Sequence, residues 1–273
     1  LNLTREDAQA YLKKKVIDFL RDNGYEYIKV DYNNTYGIGF DGFESMGEAQ
    51  RRGVMGIYRF FDEMRRQLPK LVIENCSSGG HRLELSMMSR SDMASFSDAH
   101  ECPEIPLIAA DLNRLILPRQ SQIWAVIRYD DSIRRIIWSL SATLLGRMCI
   151  SGNVARLDEN QMHALRRGIE FYRQAAPVIR KGSTRVIRRD ITAYDRANGW
   201  QVAVRTGEKA VLITAHAFEN NNGEFILGQS FSGYMIQNVY CDSDCSAQLE
   251  NGKLVIRVGG EYCGLGVLLG KKG

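Results

Sequence analysis

A change of period near residue 182 constrains this chain more than any other feature of its sequence. Before it, short apolar runs of strand length alternate with longer segments of helical periodicity. Strands are expected at 27–31, 71–76, ending near 97, at 123–127 and at 148–151, with helices between them at 44–68, from about 82, at 105–115 and at 132–145. A first helix, capped by Thr4, would bury Tyr11, Leu12, Val16, Phe19 and Leu20, and a last one at 158–175 would stop near Pro177. Strand–helix alternation of this kind predicts a parallel sheet covered by helices.

Beyond Lys181-Gly182 the helical period is gone. Short β-rich runs at 202–204, 211–214, 233–239, 253–258 and 265–269 are separated by Asn198-Gly199, Asn221-Asn222-Gly223, Asn251-Gly252 and similar turn signals. The expected division is therefore 1–181, an α/β part, and 182–273, a small antiparallel β-sandwich.

Composition narrows the function classes. The 273 residues carry 36 basic and 32 acidic side chains, a net charge of +4 spread along the chain. That gives no electrostatic basis for a nucleic-acid or anionic-membrane partner. No apolar run approaches the ~20 residues of a membrane helix. Cys76, Cys102, Cys149, Cys241, Cys245 and Cys263 are scattered without a C-x-x-C pair. They read as reduced thiols in a cytoplasmic protein, a Cys241–Cys245 bridge being the alternative. The opening Leu1-Asn2-Leu3-Thr4 reads as a cut inside a longer chain, so a signal peptide is not legible.

In parallel α/β folds the chemistry sits at the C-terminal strand ends. Three such ends are unusually polar. In Lys29-Val30-Asp31-Tyr32-Asn33 the side-chain alternation puts Lys29, Asp31 and Asn33 on one face. The lysine favours the charged carboxylate, which suits a nucleophile or, equally, a structural ion pair. Glu74-Asn75-Cys76-Ser77-Ser78-Gly79-Gly80-His81-Arg82 ends in two glycines that allow close backbone approach or simply a tight turn. The Walker spacing for phosphate is absent. Ser95-Phe96-Ser97-Asp98 supplies a second carboxylate. Metal ligation by Asp98, His100 and Cys102 lacks a closed set of spacings. Gly37-Ile38-Gly39-Phe40-Asp41-Gly42 matches a dinucleotide fingerprint in letters, but its first glycine lies well past the strand end, so it reads as a flexible loop.

Those three ends, in that order, resemble the melibiase-type α-galactosidases of glycoside hydrolase family 36, with Glu74-Asn75-Cys76-Ser77-Ser78-Gly79-Gly80 the most specific stretch. The resemblance implies a (β/α)₈ TIM-type barrel, of which about five of the eight βα units are present here, followed by the β-sandwich. It implies a retaining double displacement on a terminal α-galactoside, with Asp31 as nucleophile and Asp98 as general acid/base. Lys29, Asn33, Cys76 and Gly79 would bind the sugar, and no metal or organic cofactor is implied. The acid/base region departs from the family pattern at Phe96, Ala99 and His100-Glu101, which bears on the leaving-group subsite and on galactose specificity. An α-galactosyl transglycosidase and a non-catalytic carbohydrate-binding or assembly subunit are the alternatives. An open edge on the first strand would be covered by a second copy of the chain or by a preceding segment.

Overall fold

The computed structural model describes residues 1–33, 40–99, 103–195 and 197–272. The loop glycines Gly37 and Gly39, and His100, Glu101 and Cys102, lie outside the described residues. The chain forms two compact units, Leu1–Asp98 and Ala99–Gly273.

The first unit opens with helix α1 (Glu6–Leu12), a π-helical stretch (Lys13–Asp18) and α2 (Phe19–Asp22). Thr4 does not cap it. Its hydroxyl and backbone N–H both donate to Asn2 Oδ1, at 2.6 and 3.0 Å, and Arg5 occupies the cap position. The π-helical stretch adds a residue per turn and rotates the face that follows. Ile17 and Leu20 therefore turn inward, while Tyr11 and Phe19 are exposed and Phe19 stacks on Tyr25. Strand β1 (Tyr27–Asp31) pairs in parallel with β2 (Val72–Cys76), and β2 with β3 (Met93–Ser95).

Between β1 and β2 runs α3 (Met46–Gln67), whose N-terminus is capped by the Ser45 side chain. Its Ile57, Phe60, Phe61 and Met64 form a core with Ile28 and Val30 of β1 and Ile73 of β2. Successive strand residues face opposite ways. The helix side of the sheet thus takes the apolar residues, and Lys29, Asp31, Glu74 and Cys76 share the other. The helix expected from about residue 82 shrinks to α4 (Leu85–Met88).

In the second unit α5 (Ile105–Leu112) precedes β4 (Ser121–Ile127), which pairs in parallel with β5 (Arg147–Gly152) around α6 (Ile133–Thr143). Helix α7 (Glu159–Lys181) starts with a reciprocal cap between Asp158 and Gln161 and runs straight through Pro177. The first unit thus holds three parallel strands and the second two, each with its helices.

Antiparallel pairing begins at Ser183. Strands β6 (Ser183–Arg189), β7 (Trp200–Thr206) and β8 (Ala210–Ala217) form one sheet with β10 (Tyr234–Tyr240) and β13 (Cys263–Lys271). The other sheet holds β9 (Glu224–Ile226), β11 (Ser246–Glu250) and β12 (Lys253–Arg257). Val202, Ile213, Leu265, Phe225, Leu254 and Ile256 fill the space between the two sheets, as a sandwich requires. Leu212, Tyr240 and Leu268, on the outer face of the larger sheet, pack with α6 and α7. Cys76, Cys149, Cys241, Cys245 and Cys263 are free thiols, and Cys241 donates to the Cys245 carbonyl at 3.3 Å instead of forming a bridge. Among the described residues no helix is long and apolar enough to cross a membrane.

Candidate active site

The parallel register of β1 and β2 builds the site. It sets Lys29 beside Glu74 and Asp31 beside Cys76, so that four polar side chains share the face turned away from α3. Glu74 is only 1% exposed. Its carboxylate accepts from the Tyr27 hydroxyl, from the Ser95 hydroxyl at 2.8 Å and from the Lys29 ammonium at 3.5 Å.

Charge follows this geometry. Burial pulls the Lys29 ammonium down, but the Glu74 carboxylate, with Cys76 and Asp31 nearby, more than restores it, and the net shift is upward. Cys76 goes up chiefly through burial, against the pull of the Gly79 backbone and Lys29. At neutral pH it is therefore a neutral thiol hydrogen-bonded to Asp31.

Past the strand ends the backbones close up. Ser78 and Gly79 have left-handed φ values of 43° and 73°. A Cβ on Gly79 would lie 2.5 Å from Ser97 Cα and 2.8 Å from Asp98 N, and one on Gly80 would lie 2.4 Å from the Phe96 carbonyl oxygen. The glycines thus seat the β2 loop against the segment that carries Asp98. Asn33 Oδ1 accepts from the Ser78 N–H at 2.7 Å, which leaves its amide N–H groups as donors. Arg82 lies 3.6 Å over the Tyr32 ring and donates to the Tyr32 carbonyl at 2.6 Å. Lys29, Asp31, Cys76, Gly79, Asn33 and the Asp98 segment are accordingly neighbours along three adjacent strand ends.

The Melibiase family model matches residues 1–182, two thirds of the sequence. The chain belongs to the melibiase family. Among curated relatives, Alpha-galactosidase 2 of Pediococcus pentosaceus is 25% identical over 180 residues, which are 64% of this chain and 25% of that protein. A variant of the GH36 α-galactosidase AgaA of Geobacillus stearothermophilus, solved with 1-deoxygalactonojirimycin, superposes with a TM-score of 0.80 at 17% identity. It covers 100% of this chain, and the chain covers 39% of it. A variant of AgaA solved with raffinose gives a TM-score of 0.80 at 16% identity, with the same coverage. The chain therefore has the GH36 fold over its whole length, the part-barrel and β domain together, while spanning well under half of these melibiase relatives.

Reading along single strands misses one participant, Glu74. On its own strand Lys29 stands two residues from Asp31. Its ion-pair partner comes from the neighbouring strand, and only the register brings them together.

Proposed function

We propose that the chain carries the catalytic centre of a retaining glycosidase acting on terminal α-galactosyl groups. The observation that carries this reading is the strand-end cluster of Lys29 and Asp31 beside Cys76, with Gly79 drawn against the Asp98 segment. Membership of the melibiase family supports it, as does the presence of raffinose on a relative of the same fold.

In this reading an Asp31 oxygen attacks the anomeric carbon while the glycosidic C–O bond breaks and Asp98 gives its proton to the leaving oxygen. Water, deprotonated by Asp98, then attacks the same carbon and releases the Asp31 carboxylate, so the anomeric configuration is retained. The two carboxyl groups work at ~5–5.5 Å in such enzymes. Lys29, the Asn33 amide, Cys76 and the Gly79 loop bind the galactosyl hydroxyls. The β1 edge, bordered by a groove of about 610 Å³ lined by Leu3, Leu12, Val16, Ile28 and Phe60, suits a further strand from a second copy or from the same polypeptide. The boundary at 181/182 then separates the barrel part from the β domain.

The test is hydrolysis of p-nitrophenyl α-galactoside, with the product anomer followed by NMR. The expected outcome is α-galactose as first product, background activity for Asp31→Ala, and a loss of about 10²–10⁴-fold for Asp98→Ala on a natural galactoside. Undiminished turnover by Asp31→Ala, or β-galactose as first product, would sink the assignment.

A further inference from the structure

We propose that Glu74 is a positioning residue that holds the Lys29 ammonium beside Asp31 throughout the reaction cycle. This deepens the glycosidase reading and rests on it for its catalytic half.

The geometry begins with the carboxylate. One oxygen of Glu74 takes the Tyr27 hydroxyl from β1, and the other takes the Ser95 hydroxyl from β3. Held from both flanking strands, and shut away from solvent, the carboxylate is fixed in place. Lysine is the opposite kind of group, a mobile point charge on four methylenes with three donors. At 3.5 Å from Glu74 that charge is tethered.

A purely structural role explains this arrangement poorly. A buried ion pair is commonly no more stabilising than apolar side chains of the same volume, and a core needs no triple-donor cradle around a carboxylate. What the pair does offer is constancy of charge. Among the described residues, the charged and titratable groups facing Lys29 include Asp31 on its own strand and Glu74 and Cys76 on β2. When Asp31 becomes a glycosyl ester its negative charge disappears. The thiol is neutral, while the Glu74 ion pair is untouched by the reaction. Without Glu74 the ammonium would lose that counter-charge just as the ester forms. Glu74 therefore lets one lysine serve both halves of the double displacement.

The decisive experiment pairs a titration with a double-mutant cycle on the full chain. Lysines are reductively ¹³C-methylated, and the Lys29 signal is assigned by its loss in Lys29→Met. In the parent it titrates above the other lysines, and in Glu74→Gln it falls by about one pH unit or more. An unchanged Lys29 titration would overturn the proposal. On p-nitrophenyl α-galactoside, Glu74→Gln loses about 10–100-fold in kcat/KM, mostly in kcat, and costs nothing further in the Lys29→Met background. Additive losses would mean a merely structural role and reject the positioning one. Tyr27→Phe frees one side of the carboxylate while keeping its charge, and gives a smaller change of the same sign. It serves if Glu74→Gln does not fold, and no change in Tyr27→Phe would then overturn the proposal. A parent chain without galactosidase activity would defeat the glycosidase reading alone, because the Lys29 titration would still decide whether Glu74 holds the ammonium.

Discussion

Strands β2 and β8 both lie inside their sheets, both are buried on two faces, and each carries a polar ionisable side chain shut off from water, Glu74 and His216. Their surroundings treat them oppositely. Glu74 meets two hydroxyls and an ammonium. His216 lies on the face of β8 that packs against α6, with the edge of Trp138 at 4.9 Å and the Ser141 hydroxyl at 3.2 Å. Burial pushes its pKa down to about 3, so at neutral pH it is a neutral core imidazole. Burial by itself therefore says nothing about function. A buried ionisable group supplied with a counter-charge and several donors has its polarity answered, whereas one set among aromatic rings behaves as packing.

Three perturbations sharpen that contrast. The largest effect is expected from Gly79→Val, which attacks the polar strand ends through the backbone. The new side chain would need a left-handed φ and would overlap the Ser97–Asp98 chain. Urea unfolding should show a loss of about 3–5 kcal/mol, and a loss under 1 kcal/mol would mean the loop is free to move. Next is the pH response of His216. Between its ordinary 6.5 and about 3 the unfolded chain takes up a proton that the folded chain refuses, so stability falls as the pH drops through that window. Lowering the pH from 7.5 to 5 should cost about 2 kcal/mol in the parent, and His216→Asn should remove that component. Equal slopes in the two proteins would place the imidazole among charged or wet groups. The smallest effect belongs to Ser141→Ala, about 1 kcal/mol for the hydroxyl's neutral hydrogen bonds to the Trp138 carbonyl and His216, measured by thermal unfolding at pH 7. A larger loss would make His216 resemble Glu74 in its dependence on polar partners.

The sequence reading succeeds where periodicity is strong and local. Tyr27-Ile28-Lys29-Val30-Asp31 alternates cleanly, and β1 has those bounds. Helices α3, α6 and α7 begin at Ser45, Ser132 and Asp158, residues whose side chains do the capping. It fails where a local rule is broken by something unseen. Phe19 fits an α-helical apolar face and is exposed because the π-helical stretch before it shifts the phase. Strands β6, β9 and β11 escaped notice because they border their sheets or are three residues long, and polar residues such as Arg185 and Gln248 interrupt their apolar pattern. Pro177 reads as a stop, yet α7 continues to Lys181, because Val178 and Ile179 still bury against the core. At the site, the residues of each strand end were legible one strand at a time. Glu74 was not, since its meaning depends on which residue of β1 stands opposite.

That same register has a temporal consequence. Tyr27 and Glu74 meet across 47 positions of chain, with the whole of α3 between them. By contrast β7 and β8 close from Thr206 to Val211 through a single tight turn. Loop closure makes the first event slow and the second fast, so the hairpin forms within microseconds while the parallel pair waits for its helix to dock. The polar strand ends consequently assemble after that hairpin. Until they do, Glu74 and Lys29 are ordinary hydrated side chains, and the pairing that gives them their chemistry waits on long-range closure.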